Sequence, residues 1–172
     1  AATPTFYSLD NDKLRFGNGS ENSVNGNGLL QQPFYKNGAS WFQLTFSNYA
    51  MDSAIGIGGT GTGTWNTSGS IFGTMTNDYG VTGLTVDYSG FVQTAAVGAG
   101  AKGYGTVTST GNITKSVSGV TYSLQVKTTY ELGQTSSFIK ITTSVKNIGS
   151  TNLTNLRTWV GTRDDYVGGA DT

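Results

Sequence analysis

The sequence predicts an all-β fold: a two-sheet antiparallel β-sandwich with almost no helix, large enough for the supersandwich arrangement. Three observations carry this reading. Apolar and polar residues alternate with period two along most of the chain, and no stretch shows the 3.6-residue stripe of an amphipathic helix. Turn signals are dense, with Asn18-Gly19, Asn25-Gly26, Asn27-Gly28 and Asn37-Gly38 in quick succession, and Asn-Gly favours tight turns with positive φ. Only 12% of residues are charged, about half the usual share; Ser, Thr, Asn and Gly supply the polarity instead, as in many secreted β proteins.

Taken in order, residues 5–9 and 13–16 are short strands, and residues 17–28 form a long polar turn region. Residues 29–35 and 40–47 follow as strands. In the second, Phe42, Leu44 and Phe46 share one face and Trp41 points the other way. Residues 54–65 are a Gly-rich strand segment, where missing side chains let another backbone or a ring approach closely. Residues 71–75, 84–88, 91–97 and 104–110 continue the pattern. The last third gives three runs, 120–130, 137–146 and 153–160. Val120, Tyr122, Leu124 and Val126 make one face of the first, and Ile139, Ile141 and Val145 one face of the next. Leu124, Val126, Ile139, Ile141 and Val145 are expected to be buried together. Roughly twelve strands fit two packed sheets.

A chain of 172 residues is expected to form a single domain, residues 1–172, burying roughly 70% of its unfolded surface. Ala1-Ala2-Thr3-Pro4 resembles a mature or excised N-terminus. Asp171-Thr172 follows a loop with no closing strand, so the domain is expected to belong to a longer polypeptide. Ten basic residues balance ten acidic ones, which leaves no basic field for nucleic acid or an anionic membrane. No apolar run approaches the roughly 20 residues that span a bilayer. There is no Cys and no His. Disulfides, Ser-His-Asp and Cys-His mechanisms and His-ligated zinc or copper are therefore excluded. Carboxylate chemistry, or no chemistry, remains.

Asp164, Asp165 and Asp171 put three carboxylates in one Gly-flanked loop. Hard oxygen ligands on a flexible loop suit Ca²⁺; Arg163 offsets one charge. The bland alternative is a solvated loop with Asp in turn roles. Asp10, Asn11 and Asp12 form a second short cluster with the same two readings. Tyr166 sits inside the acidic loop and, with Arg163, is a candidate ligand contact. Trp41, Trp65 and Trp159 are candidates for a sugar-stacking platform, against the commoner role of rings as core filling. Thr60, Thr62 and Thr64, and Thr106, Thr108 and Thr110, line strand faces and read as solvent-facing β positions. Asp164 and Asp165 are adjacent, so an extended backbone sends them to opposite faces, which suits ligation around a bend better than an acid/base pair. The chain is not expected to be an enzyme.

The stretch from Tyr130 to Gly168, with Lys146-Asn-Ile-Gly-Ser-Thr-Asn-Leu-Thr-Asn-Leu-Arg157 and then Val160-Gly-Thr-Arg-Asp-Asp-Tyr-Val-Gly-Gly169, resembles a β-sandwich segment in the ligand-binding region of large bacterial RTX-type biofilm adhesins. In that family a sandwich domain of the split type is interrupted by an inserted sugar-binding domain. The resemblance covers about residues 130–168. It implies Ca²⁺, an extracellular, cell-surface setting and adhesion, with a cell-surface glycan, a protein ligand or neighbouring domains of the same adhesin as partners. The expectation is a non-enzymatic extracellular adhesin module. The rivals are a carbohydrate-binding or carbohydrate-active sandwich, marked by exposed aromatics, and a structural subunit of a surface layer or filament, marked by open sheet edges.

Overall fold

The computed structural model of the protein describes residues 3–46, 49–58, 70–74, 81–117 and 119–162. These form eleven strands and no helix: β1 (Tyr7–Leu9), β2 (Leu14–Phe16), β3 (Pro33–Asn37), β4 (Ser40–Gln43), β5 (Asp52–Gly58), β6 (Ser70–Thr74), β7 (Val81–Val97), β8 (Gly100–Val117), β9 (Val120–Leu132), β10 (Ile139–Asn147) and β11 (Arg157–Gly161). The fold is all-β, as the alternation predicts.

The largest sheet is an antiparallel meander of β7, β8, β9 and β10. Its first hairpin closes through Gly98-Ala99, with Val97 opposite Gly100 and Gly98 at φ +58°. Glycine at the first central position suits a two-residue hairpin turn. Residues 84–88 and 91–97 are not separate strands. They belong to one bent strand, β7, whose register shifts at 82/85, 87/90 and 93/95. A bulge absorbs the extra residue without ending the strand. Gly105, at φ +113°, faces the second shift, and a Cβ there would collide with the Gly90 carbonyl oxygen.

One pair breaks the antiparallel rule. β1 runs parallel to β8, with Tyr7 opposite Ala101 and Leu9 opposite Gly103. β9 pairs with β8 only from Gly105 onward. β7 takes the other side of β8, so β1 fills the place that β9 leaves at the end of β8. A long connection makes parallel pairing possible where a tight turn would forbid it.

The remaining layer is divided between two three-stranded sheets, β11-β5-β6 and β2-β3-β4. Ile55 and Ile57 of β5 pack with Ile113, Leu124 and Val126 of the large sheet and with Leu29. Leu9, Phe16, Val24 and Leu30 pack with Val107, Tyr130 and Leu132. The core expectation is thus met in face but not in unity. Leu124 and Val126 are fully buried, whereas Ile139, Ile141 and Val145 are half-buried and divided between the two clusters. β10 lies beside β9 at the margin of the covered face.

Two further expectations differ. The last strand begins at Arg157, not at 153, while Leu153 packs against the first cluster from a loop. The 17–28 region is not simply polar surface, because Ser23 and Val24 are buried. Phe42 and Phe46, which share a face by spacing, are 45% and 46% exposed. β4 is the edge of its small sheet, and Phe42 stacks on Tyr35 instead, with ring centres 5.5 Å apart.

Candidate functional site

The face of the β2-β3-β4 sheet opposite the core gathers cations and rings. Arg15 lies opposite Phe34, and Phe34 opposite Gln43. Two residues along, Lys36 lies opposite Trp41. Side chains two apart on a strand share a face, so these five form one surface. The β3-β4 turn sets this register. Gly38, at φ +61°, opens a two-residue turn that brings Asn37 opposite Ser40 and hence Lys36 opposite Trp41.

The Arg15 guanidinium carbon stands 5.0 Å from the Phe34 ring centre and 4.5 Å from that of Trp41. Lys36 Nζ is 5.6 Å from the Trp41 ring. These are cation–π distances. Burial pulls the Arg15 pKa below its ordinary value, opposed by the charge of Asp10. A guanidinium nonetheless stays protonated at any physiological pH.

Beside this platform lies a polar cleft of about 200 Å³ lined by Gly17, Asn18, Glu21, Gln31, Gln32 and Phe34. Phe34 belongs to both. Glu21 is fixed in the cleft wall: Oε1 accepts the Asn18 N–H at 3.0 Å and Oε2 accepts Gln31 Nε2 at 3.2 Å. Gln32 Nε2 donates to the Thr45 and Phe46 carbonyls at 2.8 and 3.0 Å, which anchors the far wall. Rings, a guanidinium, amides and one carboxylate thus meet on one surface. This donor set can stack on an apolar sugar face and exchange hydrogen bonds with hydroxyls. It holds no pair of carboxylates across a gap for acid/base work.

The cluster Asp10, Asn11 and Asp12 is turn chemistry. Asp10 Oδ1 accepts the Asp12 N–H at 2.9 Å, and Asn11 Oδ1 accepts the N–H groups of Lys13 and Leu14. Its charge is met by lysines: Lys102 Nζ lies 2.7 Å from Asp12 and 3.6 Å from Asp10, and Lys36 Nζ lies 3.3 Å from Asp12. Among the described residues no group of three or more acidic side chains is arranged to hold a metal ion. Thr106, Thr108 and Thr110 do not stand alone on the outer face of β8. Thr108 and Thr110 face Thr129 and Lys127 across β9, and Thr108 shares a hydrogen bond with Thr129 at 3.2 Å.

Arg163, Asp164, Asp165, Tyr166 and Asp171 lie outside the described residues, as do Trp65, Thr60, Thr62 and Thr64. Trp159 is half-buried on β11. Of the sugar-platform candidates among the described residues, Trp41 joins the cation-and-ring surface. Sequence reasoning missed Arg15, Phe34 and Lys36 as its companions. The signal was present in Asn37-Gly38, since a two-residue turn at 38–39 fixes 36 opposite 41. Comparison with known protein families, with curated proteins and with solved structures gives no match.

Proposed function

We propose that this chain is a non-enzymatic, extracellular binding module of a bacterial surface adhesin, and that it holds a glycan on the β2-β3-β4 face. One observation carries the binding reading: Trp41 and Phe34 stand beside a cleft lined by the Glu21 carboxylate and the amides of Asn18, Gln31 and Gln32. Sugars are bound by this combination of ring stacking and fixed polar partners. The adhesin setting is supported by the likeness of residues 130–168 to adhesin sandwich segments. Ca²⁺ dependence rests on Asp164, Asp165 and Asp171.

The test is binding of the purified chain to an immobilised panel of neutral and acidic glycans, beside Trp41→Ala. Trp41→Ala is expected to weaken the strongest interaction at least about tenfold, equivalent to 1.4 kcal/mol, while the thermal midpoint stays close to that of the parent. A parent that binds no glycan, or a Trp41→Ala variant that binds as well as the parent, would sink the proposal.

A further inference from the structure

We infer that the glycan bound on this face is acidic, and that the Arg15 guanidinium is the group that takes its carboxylate or sulfate. This rests on the glycan reading and sharpens it to a charge class.

Arg15 Nε is buried and, among the described residues, has no hydrogen-bond partner. The nearby Asp10 is engaged by Lys102 instead, 3.6 Å away. A half-buried guanidinium with unmet donors is uncommon, because desolvated N–H groups are costly when left unpaired. What holds it there is packing: Phe34 and Trp41 lie against it. Gly19 closes in from the side, where an added Cβ would sit 3.4 Å from Arg15 Nη1. Gly19 belongs to the same loop as Gly17, Asn18 and Glu21, which line the cleft. The guanidinium is therefore held in orientation beside the loop that lines the cleft, with Nε enclosed and the Nη end left as the part that can meet a ligand.

A planar fork of N–H groups fits an oxyanion in bidentate fashion. Glu21, held in the cleft by Asn18 and Gln31, keeps lone pairs for hydroxyl donors and repels a second anion. The site is thus polarised, with an oxyanion place at Arg15 and a hydroxyl place at Glu21. A sugar acid or a sulfated sugar carries both groups on one ring. A neutral sugar would leave the Arg15 donors unmet.

The experiment uses matched probes that differ only in charge. Oligogalacturonate is compared with its methyl ester, and a sulfated oligosaccharide with its desulfated parent, by calorimetric titration of the chain. The acidic member of a pair is expected to bind at least about tenfold more tightly. The pair that shows the difference tells carboxylate from sulfate. Arg15→Gln should erase the preference, and Arg15→Lys should lose most of it, since an ammonium keeps the charge but not the fork. Arg15→Lys also leaves a cation against the rings, so it decides the matter if Arg15→Gln does not fold. Equal binding of acidic and neutral members overturns this inference and leaves the glycan reading standing. A preference that survives in Arg15→Lys at parental strength overturns it too. Binding of no probe, acidic or neutral, removes both.

Discussion

The Gly28 carbonyl accepts two hydrogen bonds from the large sheet, from Tyr130 Oη at 2.6 Å and Ser109 Oγ at 3.0 Å. Gly28 itself stands at φ +79°, and a Cβ there would press on Leu84 and Ser109 at 3.0–3.1 Å. Burial pushes the Tyr130 hydroxyl well above its ordinary value, so it remains a neutral donor at any working pH. Tyr130→Phe is expected to cost about 1 kcal/mol, because Ser109 still serves the carbonyl. Ser109→Ala should cost a similar amount. The double variant should cost more than the sum, since only then is a buried carbonyl left with neither donor. Urea titrations of the four proteins measure this, and strict additivity would mean that the two donors act independently.

Asp12 gives a pH signature at the same scale. The hydrogen bond from Lys102, joined by Lys36, holds its carboxyl below the ordinary 3.8. A depressed carboxyl contributes stability above 3.8 and loses it as the pH falls through the folded value. Burial pushes Lys102 down, but Asp12 and Asp10 together outweigh it and hold the ammonium above 10.5. That contribution is complete below 10.5 and fades as the pH rises through the folded value. Asp12 is 64% exposed, so solvent screening limits its share to under about 1 kcal/mol. The urea midpoints of the parent and Asp12→Asn should differ at neutral pH and converge in acid as the pH falls through the depressed folded value of Asp12. A gap that persists there would assign Asp12 a role in the turn, where φ is +66°, and not in the ion pair.

At the scale of the element, alternation made β9 and β10 legible, and it assigned the correct face to each. It did not give depth. Leu124 is 2% exposed at the centre of a cluster reached by β5, β8 and β9, whereas Ile141 is half-buried on a margin strand. Leu124→Ala is expected to cost about 2–5 kcal/mol, as for an emptied packed site, and Ile141→Ala clearly less. Equal losses in denaturant titrations would show that β10 is covered as fully as β9. The same limit explains Phe42 and Phe46. Their spacing marks a face, but whether a face meets another sheet is decided by partners far along the chain. Trp41 shows the reverse case, in which a local turn alone fixes a neighbour, so its pairing with Lys36 was within reach of the sequence.

At the scale of the molecule, the all-β class was legible because it follows from local period and turns. The division of the second layer into two sheets was not, because it depends on pairings such as β5 with β11, which join residues 52–58 to 157–161. The calcium expectation also belongs to this scale. If Asp164, Asp165 and Asp171 hold Ca²⁺ only in the folded state, millimolar Ca²⁺ at a hundredfold excess over Kd should raise stability by roughly 2.7 kcal/mol. The comparison is thermal unfolding in Ca²⁺ against chelator, for the parent and Asp165→Asn. A parent midpoint that does not move would remove Ca²⁺ from the proposed function.

The parallel seam between β1 and β8 has a consequence for the order in which the chain can assemble. Tyr7 meets Ala101, a partner almost a hundred positions away, while the first two hairpins of the meander close across two residues and the third across six. Closing a loop costs entropy that rises with its length, so the seam has the least favourable closure of these contacts. During synthesis it cannot form until Gly103 has emerged, well after β1 itself. Throughout that interval the first strand has only its near neighbours Asn22 and Ser23 to bond with, and the ion pairs from Asp10 and Asp12 to Lys102 fasten a seam that is closed late.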